Sequence, residues 1–158
     1  MKLLIAFLLP FTMAVTGWYT NFDEAKETAK KEHRYILLNF SGSDWCGPCI
    51  HMHKEIFESA AFTQLADKSL VLLNADIPRM KKNQLPGKQQ EQNNALADKY
   101  NPKGNFPYTL LLDADGKIIK DWNGFPNTTA EGFTQQVKTI IDSNRSPVWY
   151  IKAFLKKR

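Results

Sequence analysis

Residues 35–50 are YILLNFSGSDWCGPCI, and they contain the only two cysteines of the chain, Cys46 and Cys49. The apolar run at residues 35–40 predicts a buried strand. The stretch from Cys46 to about Phe57 predicts a helix, which tolerates Pro48 in its first turn. A strand that turns into a helix here places Cys46 at the helix N-terminus, where unpaired N–H groups and the helix dipole favour a thiolate. Cys49 lies one turn further on and can attack a mixed disulfide on Cys46. The spacing therefore indicates a thiol–disulfide exchange centre.

A Cys-x-x-Cys pair can also attach haem or bind zinc. Haem attachment requires a histidine directly after the second cysteine, where this chain has Ile50, and this excludes it. A structural zinc ion needs four ligands, and His51 and His53 diverge on a helix, so further ligands would have to come from distant parts of the chain. We therefore predict no metal site. Both histidines are interpreted as solvated residues beside the exchange centre, with a role in tuning the Cys46 thiolate left open.

The residues around the cysteines carry a resemblance to a known family. Trp45-Cys46-Gly47-Pro48-Cys49 resembles the thioredoxin superfamily, and the preceding Gly42-Ser43-Asp44 is similar to the secreted bacterial thioredoxin-like disulfide reductases and isomerases, which share the GSDWCGPC active site. The likeness covers about residues 18–144. It implies an α/β protein of thioredoxin fold, with a central mixed β-sheet flanked by helices on both faces.

The same resemblance implies which residues form the site. Cys46 and Cys49 would be the catalytic pair, and their redox-active disulfide would serve in place of any separate cofactor. The residues expected to support this pair are Trp45, Gly47, Pro48 and Pro107. Phe106-Pro107 matches the cis-proline motif that the family places opposite the dithiol, so both residues are expected to bind the substrate peptide.

Three positions depart from the cytoplasmic thioredoxin pattern. Asn39 stands where those proteins carry a buried Asp, and Leu72 stands where they carry its Lys partner. An amide cannot take the proton of Cys49, so water or another base must do so. The proline found in the middle of the active-site helix is missing from residues 51–54. The electron donors and substrates of ordinary thioredoxins are therefore not carried over.

The chain begins with a predicted secretory signal at residues 1–16. Lys2 precedes an apolar run to Val15 that is too short to span a bilayer, and cleavage is expected after Ala14 or Thr16. A buried N-terminal helix or strand is the alternative. Export would place the dithiol outside the reducing cytosol, so we predict a secreted or periplasmic protein.

Residues 17–144 are predicted to form one thioredoxin-like domain with a polar insertion at about 78–94, either a solvated loop or a substrate or partner contact. Residues 145–158 form a basic, aromatic tail that could dock on the domain, lie on an anionic membrane surface or stay disordered. The net charge of +5 is concentrated in this tail, so no nucleic-acid partner is predicted.

Hydrophobic periodicity and turn signals predict the order βαβαβα followed by ββα, with parallel early strands and an antiparallel final hairpin. Asn21 and Thr128 are expected to cap the first and last helices. The segments expected between them are a helix at 59–67, strands at 70–75, 108–112 and 117–122, and a helix ending near Tyr100.

These observations predict a secreted thiol–disulfide oxidoreductase that reduces or isomerises protein disulfides. Gly47-Pro48 between the cysteines resembles the reducing members of the family. The expected partners are protein disulfide substrates and a membrane-embedded thiol donor, and the chain is expected to be a monomer. A dithiol oxidase of the same fold and a non-catalytic binding or metal-carrying module are the alternatives.

Overall fold

A computed structural model describes residues 17–145 of the chain. The predicted signal at 1–16 and the tail from residue 146 onward lie outside the described residues. Within residues 17–145, no helix has the length and apolar character needed to cross a membrane.

The centre of the domain is a four-stranded sheet in the order β2-β1-β3-β4. The strands are β1 (Tyr35–Ser41), β2 (Leu70–Asp76), β3 (Tyr108–Leu112) and β4 (Ile118–Asn123). β1 pairs parallel to β2 and antiparallel to β3, and β3 pairs antiparallel to β4. The predicted mixed sheet is therefore confirmed.

Within the described residues, five α-helices cover both faces of this sheet, as predicted. They are α1 (Phe22–Glu32), α2 (Gly47–Met52), α3 (Ala60–Ser69), α4 (Gly87–Tyr100) and α5 (Ala130–Asn144). α1 and α4 pack on one face through a cluster that includes Ala25 and Leu96, and α2, α3 and α5 pack on the other through Met52, Phe62 and Phe133. The fold is the thioredoxin fold.

The central strand β1 is buried on both faces, as expected for a strand covered by helices above and below. Its side chains alternate, so Leu38 and Phe40 enter the α1/α4 cluster while Leu37 enters the cluster of the opposite face. Asn39 and Ser41 lie on the same face as Leu37, nearer to α2. The strand thus brings two polar side chains under the helix that carries the cysteines.

The structure corrects the predicted element order at the N-terminus. In place of a strand before α1, the described chain has a single β-bridge between Tyr19 and Leu73. The Tyr19 N–H donates to the Leu72 carbonyl at 2.7 Å and the Asn74 N–H donates to the Tyr19 carbonyl at 2.9 Å. Residues 17–20 are followed at once by Asn21, whose side chain caps α1 as predicted.

Three further boundaries differ from prediction. The helix expected from Cys46 to Phe57 is α2 followed by a π-helical turn (His53–Phe57). Residues 87–94 of the predicted polar insertion belong to α4, which leaves a loop that contains a short 3₁₀ turn (Lys81–Asn83). Thr129, and not Thr128, caps α5, because its side chain accepts from the Gly132 N–H.

Candidate active site

Cys46 and Cys49 form a disulfide at the start of α2. Cys46 is the N-cap residue, which confirms its predicted position at the helix N-terminus. The Cys49 N–H donates to the Cys46 sulfur at 3.3 Å, and each cysteine is only 4% exposed. A negative charge on Cys46 would therefore be stabilised by this N–H and by the helix dipole. Gly47 and Pro48 form the exposed first turn between the two cysteines.

The Phe106–Pro107 peptide bond is cis, as predicted. Pro107 is buried directly before β3, and its carbonyl accepts from the Gly124 N–H at 2.9 Å. The Phe106 ring meets the Trp45 ring edge to face, with 5.0 Å between the ring centroids. The structure thus brings Phe106 beside the tryptophan that directly precedes Cys46.

Trp45 is held in one orientation by three contacts. Its Nε1 donates to the Ile77 carbonyl at 2.7 Å, Phe106 meets it as described, and the Arg79 guanidinium lies 3.5 Å from the centroid of its ring. Gly42 leaves the space that the ring occupies, because a Cβ at that position would overlap Cε2 of Trp45. Glycine is therefore required at position 42 because a larger side chain would displace the Trp45 ring.

The two residues between Gly42 and Trp45 bind the last residue of β2 and the chain that follows it. The Ser43 N–H and hydroxyl both donate to Asp76, at 2.8 and 2.6 Å. The Asp44 carboxylate accepts from the N–H groups of Arg79 and Met80, each at 2.9 Å, and from the side chain of Asn83 at 3.0 Å. The hydrogen bond from the Arg79 N–H is the main reason that the pKa of Asp44 is lowered below its ordinary value.

Asn39 and Cys49 line one cavity of about 290 Å³. Asn39 is 5% exposed, accepts from the Thr109 hydroxyl at 3.1 Å and donates to the Asn74 side chain at 3.4 Å. Leu72 lies on the same face of β2 as Asn74 but belongs to the apolar cluster. The position that carries a buried Asp in cytoplasmic thioredoxins therefore faces the same space as the second cysteine.

The two histidines diverge as predicted. The His51 side chain is 69% exposed and pairs with Glu55 at 3.1 Å, which confirms its interpretation as a solvated residue. His53 is 3.4 Å from Glu58, packs against the Trp18 ring and lines the cavity beside Cys49. Sequence reasoning placed His53 correctly on the helix face of Cys49 but missed this cavity.

The geometry is that of a cysteine pair that forms a disulfide at a helix N-terminus. Comparison with known proteins identifies the family to which the chain belongs. The chain belongs to the family described as the thioredoxin-like domain, whose model matches residues 22–141. It is a member of the thiol–disulfide oxidoreductases of that fold, with a cysteine pair able to form a disulfide.

Within this class, the chain is similar to proteins that carry the Dsb name. The chain is 33% identical over 132 residues to the disulfide bond reductase DsbH of Chlamydia pneumoniae, covering 84% of this chain and 76% of that protein. It is 28% identical to the thioredoxin-related protein DsbJ of the same organism over 80% of this chain, which spans only 36% of DsbJ. A solved structure of a DsbH oxidoreductase matches with a TM-score of 0.73 and 31% identity, covering 89% of this chain and 94% of that one.

Proposed function

We propose that this chain is exported and reduces or isomerises the disulfides of other proteins. The main observation that supports this proposal is the Cys46–Cys49 disulfide at the start of α2, with the Cys49 N–H directed at the Cys46 sulfur. The reducing direction is supported by Gly47-Pro48 between the cysteines and by the 33% identity to a protein described as a disulfide bond reductase.

The reaction begins from the reduced pair. The Cys46 thiolate attacks one sulfur of a client disulfide, forms a mixed disulfide and releases the other client sulfur, which takes up a proton. Cys49 then loses its proton, and its thiolate attacks the Cys46 sulfur. This forms the Cys46–Cys49 disulfide and breaks the bond to the second client sulfur, which leaves as a thiolate and takes up a proton. The client therefore gains two electrons from the cysteine pair, and the two protons that it takes up from solvent balance those that Cys46 and Cys49 lost. Phe106 and Pro107 would hold the client peptide beside Trp45.

The proposal includes the compartment and the partners. The signal predicted at residues 1–16 would deliver the protein to the periplasm, where a reductant must be regenerated. We assign that step to a membrane-embedded thiol donor, and no cofactor beyond the disulfide is invoked. The protein would act as a monomer in this scheme, and the proposal includes contact of its basic tail at residues 145–158 with an anionic membrane surface.

The test is the reduction potential of the pair together with insulin reduction. Equilibration with glutathione should give a potential near that of a reducing thioredoxin, about −270 mV. The reduced protein should precipitate insulin, and Cys46→Ser should abolish this. A potential near the about −120 mV of a strong dithiol oxidant would support the oxidase alternative. Absence of insulin reduction by the folded wild type, with stoichiometric zinc found on analysis, would support the metal-carrying alternative.

A further inference from the structure

We propose that Arg79 selects clients, so that the protein reacts faster with disulfides flanked by acidic side chains. This inference rests on the proposed function, since it concerns which client disulfide reaches Cys46. The observation behind it is the Arg79 guanidinium, which lies 3.5 Å from the centroid of the ring of Trp45, the residue that directly precedes the first cysteine.

The position of Arg79 is built into the fold. Its backbone N–H donates to the Asp44 carboxylate at 2.9 Å, and the next N–H, that of Met80, donates to the same carboxylate at 2.9 Å. Two residues earlier, the Ile77 carbonyl accepts from Trp45 Nε1 at 2.7 Å. The residues directly before Cys46 thus fix the backbone on both sides of Arg79, and the arginine is anchored to the site.

The chemistry of Arg79 suits an anionic ligand. A guanidinium that lies on an aromatic ring uses its face and leaves its N–H edge available for hydrogen bonds. Arg79 is exposed, and no ion pair joins it to a carboxylate of residues 17–145. That N–H edge matches a carboxylate in a bidentate geometry.

The surroundings of Arg79 are basic and partly apolar. Lys81 and Lys82 follow it in the exposed 3₁₀ turn, and the charge of Asp44 is engaged by three donors. Met80 is 48% exposed. Phe106 also contacts Trp45, with 5.0 Å between the two ring centroids. A client chain that lies along Phe106 and Trp45 would therefore pass Arg79, and an acidic side chain near its cysteine would meet a cation.

The test uses three fluorescent disulfide peptides that differ only in having Glu, Gln or Lys beside the cysteine. The second-order rate constant of the reduced protein with each peptide is measured at low ionic strength. The Glu peptide should react about two- to five-fold faster than the Gln peptide, the range of an exposed ion pair, and the Lys peptide should react more slowly. Added salt should reduce the difference.

Variants then identify the cation responsible. Arg79→Gln should bring the Glu/Gln ratio close to one, and Arg79→Lys should retain only part of it, because lysine keeps the charge but lacks the planar guanidinium that stacks on Trp45 and binds a carboxylate in a bidentate geometry. Lys117→Gln removes the same charge from the end of the hairpin that is remote from the site, since the site lies beyond the Phe40–Tyr108 end of β1 and β3. This control should keep both the wild-type rate and the wild-type ratio.

The outcomes separate the two proposals. If the wild type reduces all three peptides at one rate, or if Arg79→Gln keeps the wild-type ratio, Arg79 only covers Trp45 and client selection is refuted while the proposed function stands. If the folded, reduced wild type reacts with none of the peptides, the proposed function itself fails, and the inference fails with it.

Discussion

Replacing Asn39 with Asp tests how the second cysteine loses its proton. The substitution keeps the shape of the side chain and places a carboxylate in the cavity that Cys49 also lines. Thr109 can still donate to it, as it donates to Asn39 at 3.1 Å. A carboxylate can accept the proton that an amide cannot, so we expect resolution of the mixed disulfide to accelerate near neutral pH.

The scale of the rate gain follows from thiol ionisation. An ordinary thiol with a pKa of about 8.5 is only about 3% ionised at pH 7, so complete deprotonation of such a thiol would raise its rate of attack by about 30-fold at that pH. The gain should shrink as the pH approaches the thiol range, because the wild-type cysteine then ionises without a base.

The same substitution should cost stability. At 5% exposure the new carboxylate is poorly solvated, and it loses the hydrogen bond that Asn39 donates to Asn74. Leu72 offers no compensating charge. A loss of about 1–3 kcal/mol corresponds to a melting temperature lower by about 2–12 °C for a chain of this size. Because burial raises the pKa of the introduced Asp in the folded state, the loss should be full at neutral pH and should disappear as the pH falls toward about 4.

The assay is single-turnover resolution of a preformed Cys46 mixed disulfide, followed by stopped flow from pH 5 to pH 9. Asn94→Asp is the matched control, since it makes the same charge change at an exposed position of α4. Resolution kinetics identical to wild type in a folded Asn39→Asp protein would refute the reasoning, because Asn39 would not then face the resolving thiol or another base would already serve it.

Three further predictions address the site. Gly42→Ala should destabilise the protein by about 1–3 kcal/mol in urea unfolding and change the emission of Trp45, because the added methyl overlaps the ring. Cys49→Ser should accumulate client adducts on non-reducing gels, and these should vanish when Cys46 is also replaced. Asp44→Asn should be less stable than wild type at neutral pH but not at low pH. The lowered pKa of Asp44 means that its stabilisation is present above about pH 4 and is lost as the pH falls through the lowered value; an unchanged difference in melting temperature across pH would contradict this.

The elements with strong local signals could be predicted from the sequence. β2 was expected at 70–75 and runs from Leu70 to Asp76, and β3 was expected and found at 108–112. Continuous apolar runs and the turn closed by Gly116 determine these segments locally. The cap of α5 was wrong by one residue because Thr128 and Thr129 offer the same hydroxyl. Only the backbone geometry decides that Thr129 reaches the Gly132 N–H.

The contacts that complete the site could not be predicted because they join distant parts of the chain. Asp44 contacts Arg79, Met80 and Asn83 across 35 to 39 positions of sequence. Asn39 meets Thr109 across 70 positions. Such pairs depend on how the loop after β2 returns over the end of the sheet, and a polar, lysine-rich loop carries no periodic signal of its path.

The residues before the cysteines contact Trp45, the end of β2 and the loop after β2. Gly42 makes room for Trp45, Ser43 binds Asp76, and Asp44 binds the backbone of residues 79 and 80. The Cys-x-x-Cys turn needs none of these side chains to place Cys46 at a helix N-terminus, since the Cys49 N–H alone reaches its sulfur. Residues 42–44 therefore determine which side chains lie beside the dithiol, while the Cys-x-x-Cys turn determines the reactivity of Cys46. Changes in residues 42–44 should alter which clients react more than they alter the chemistry of exchange.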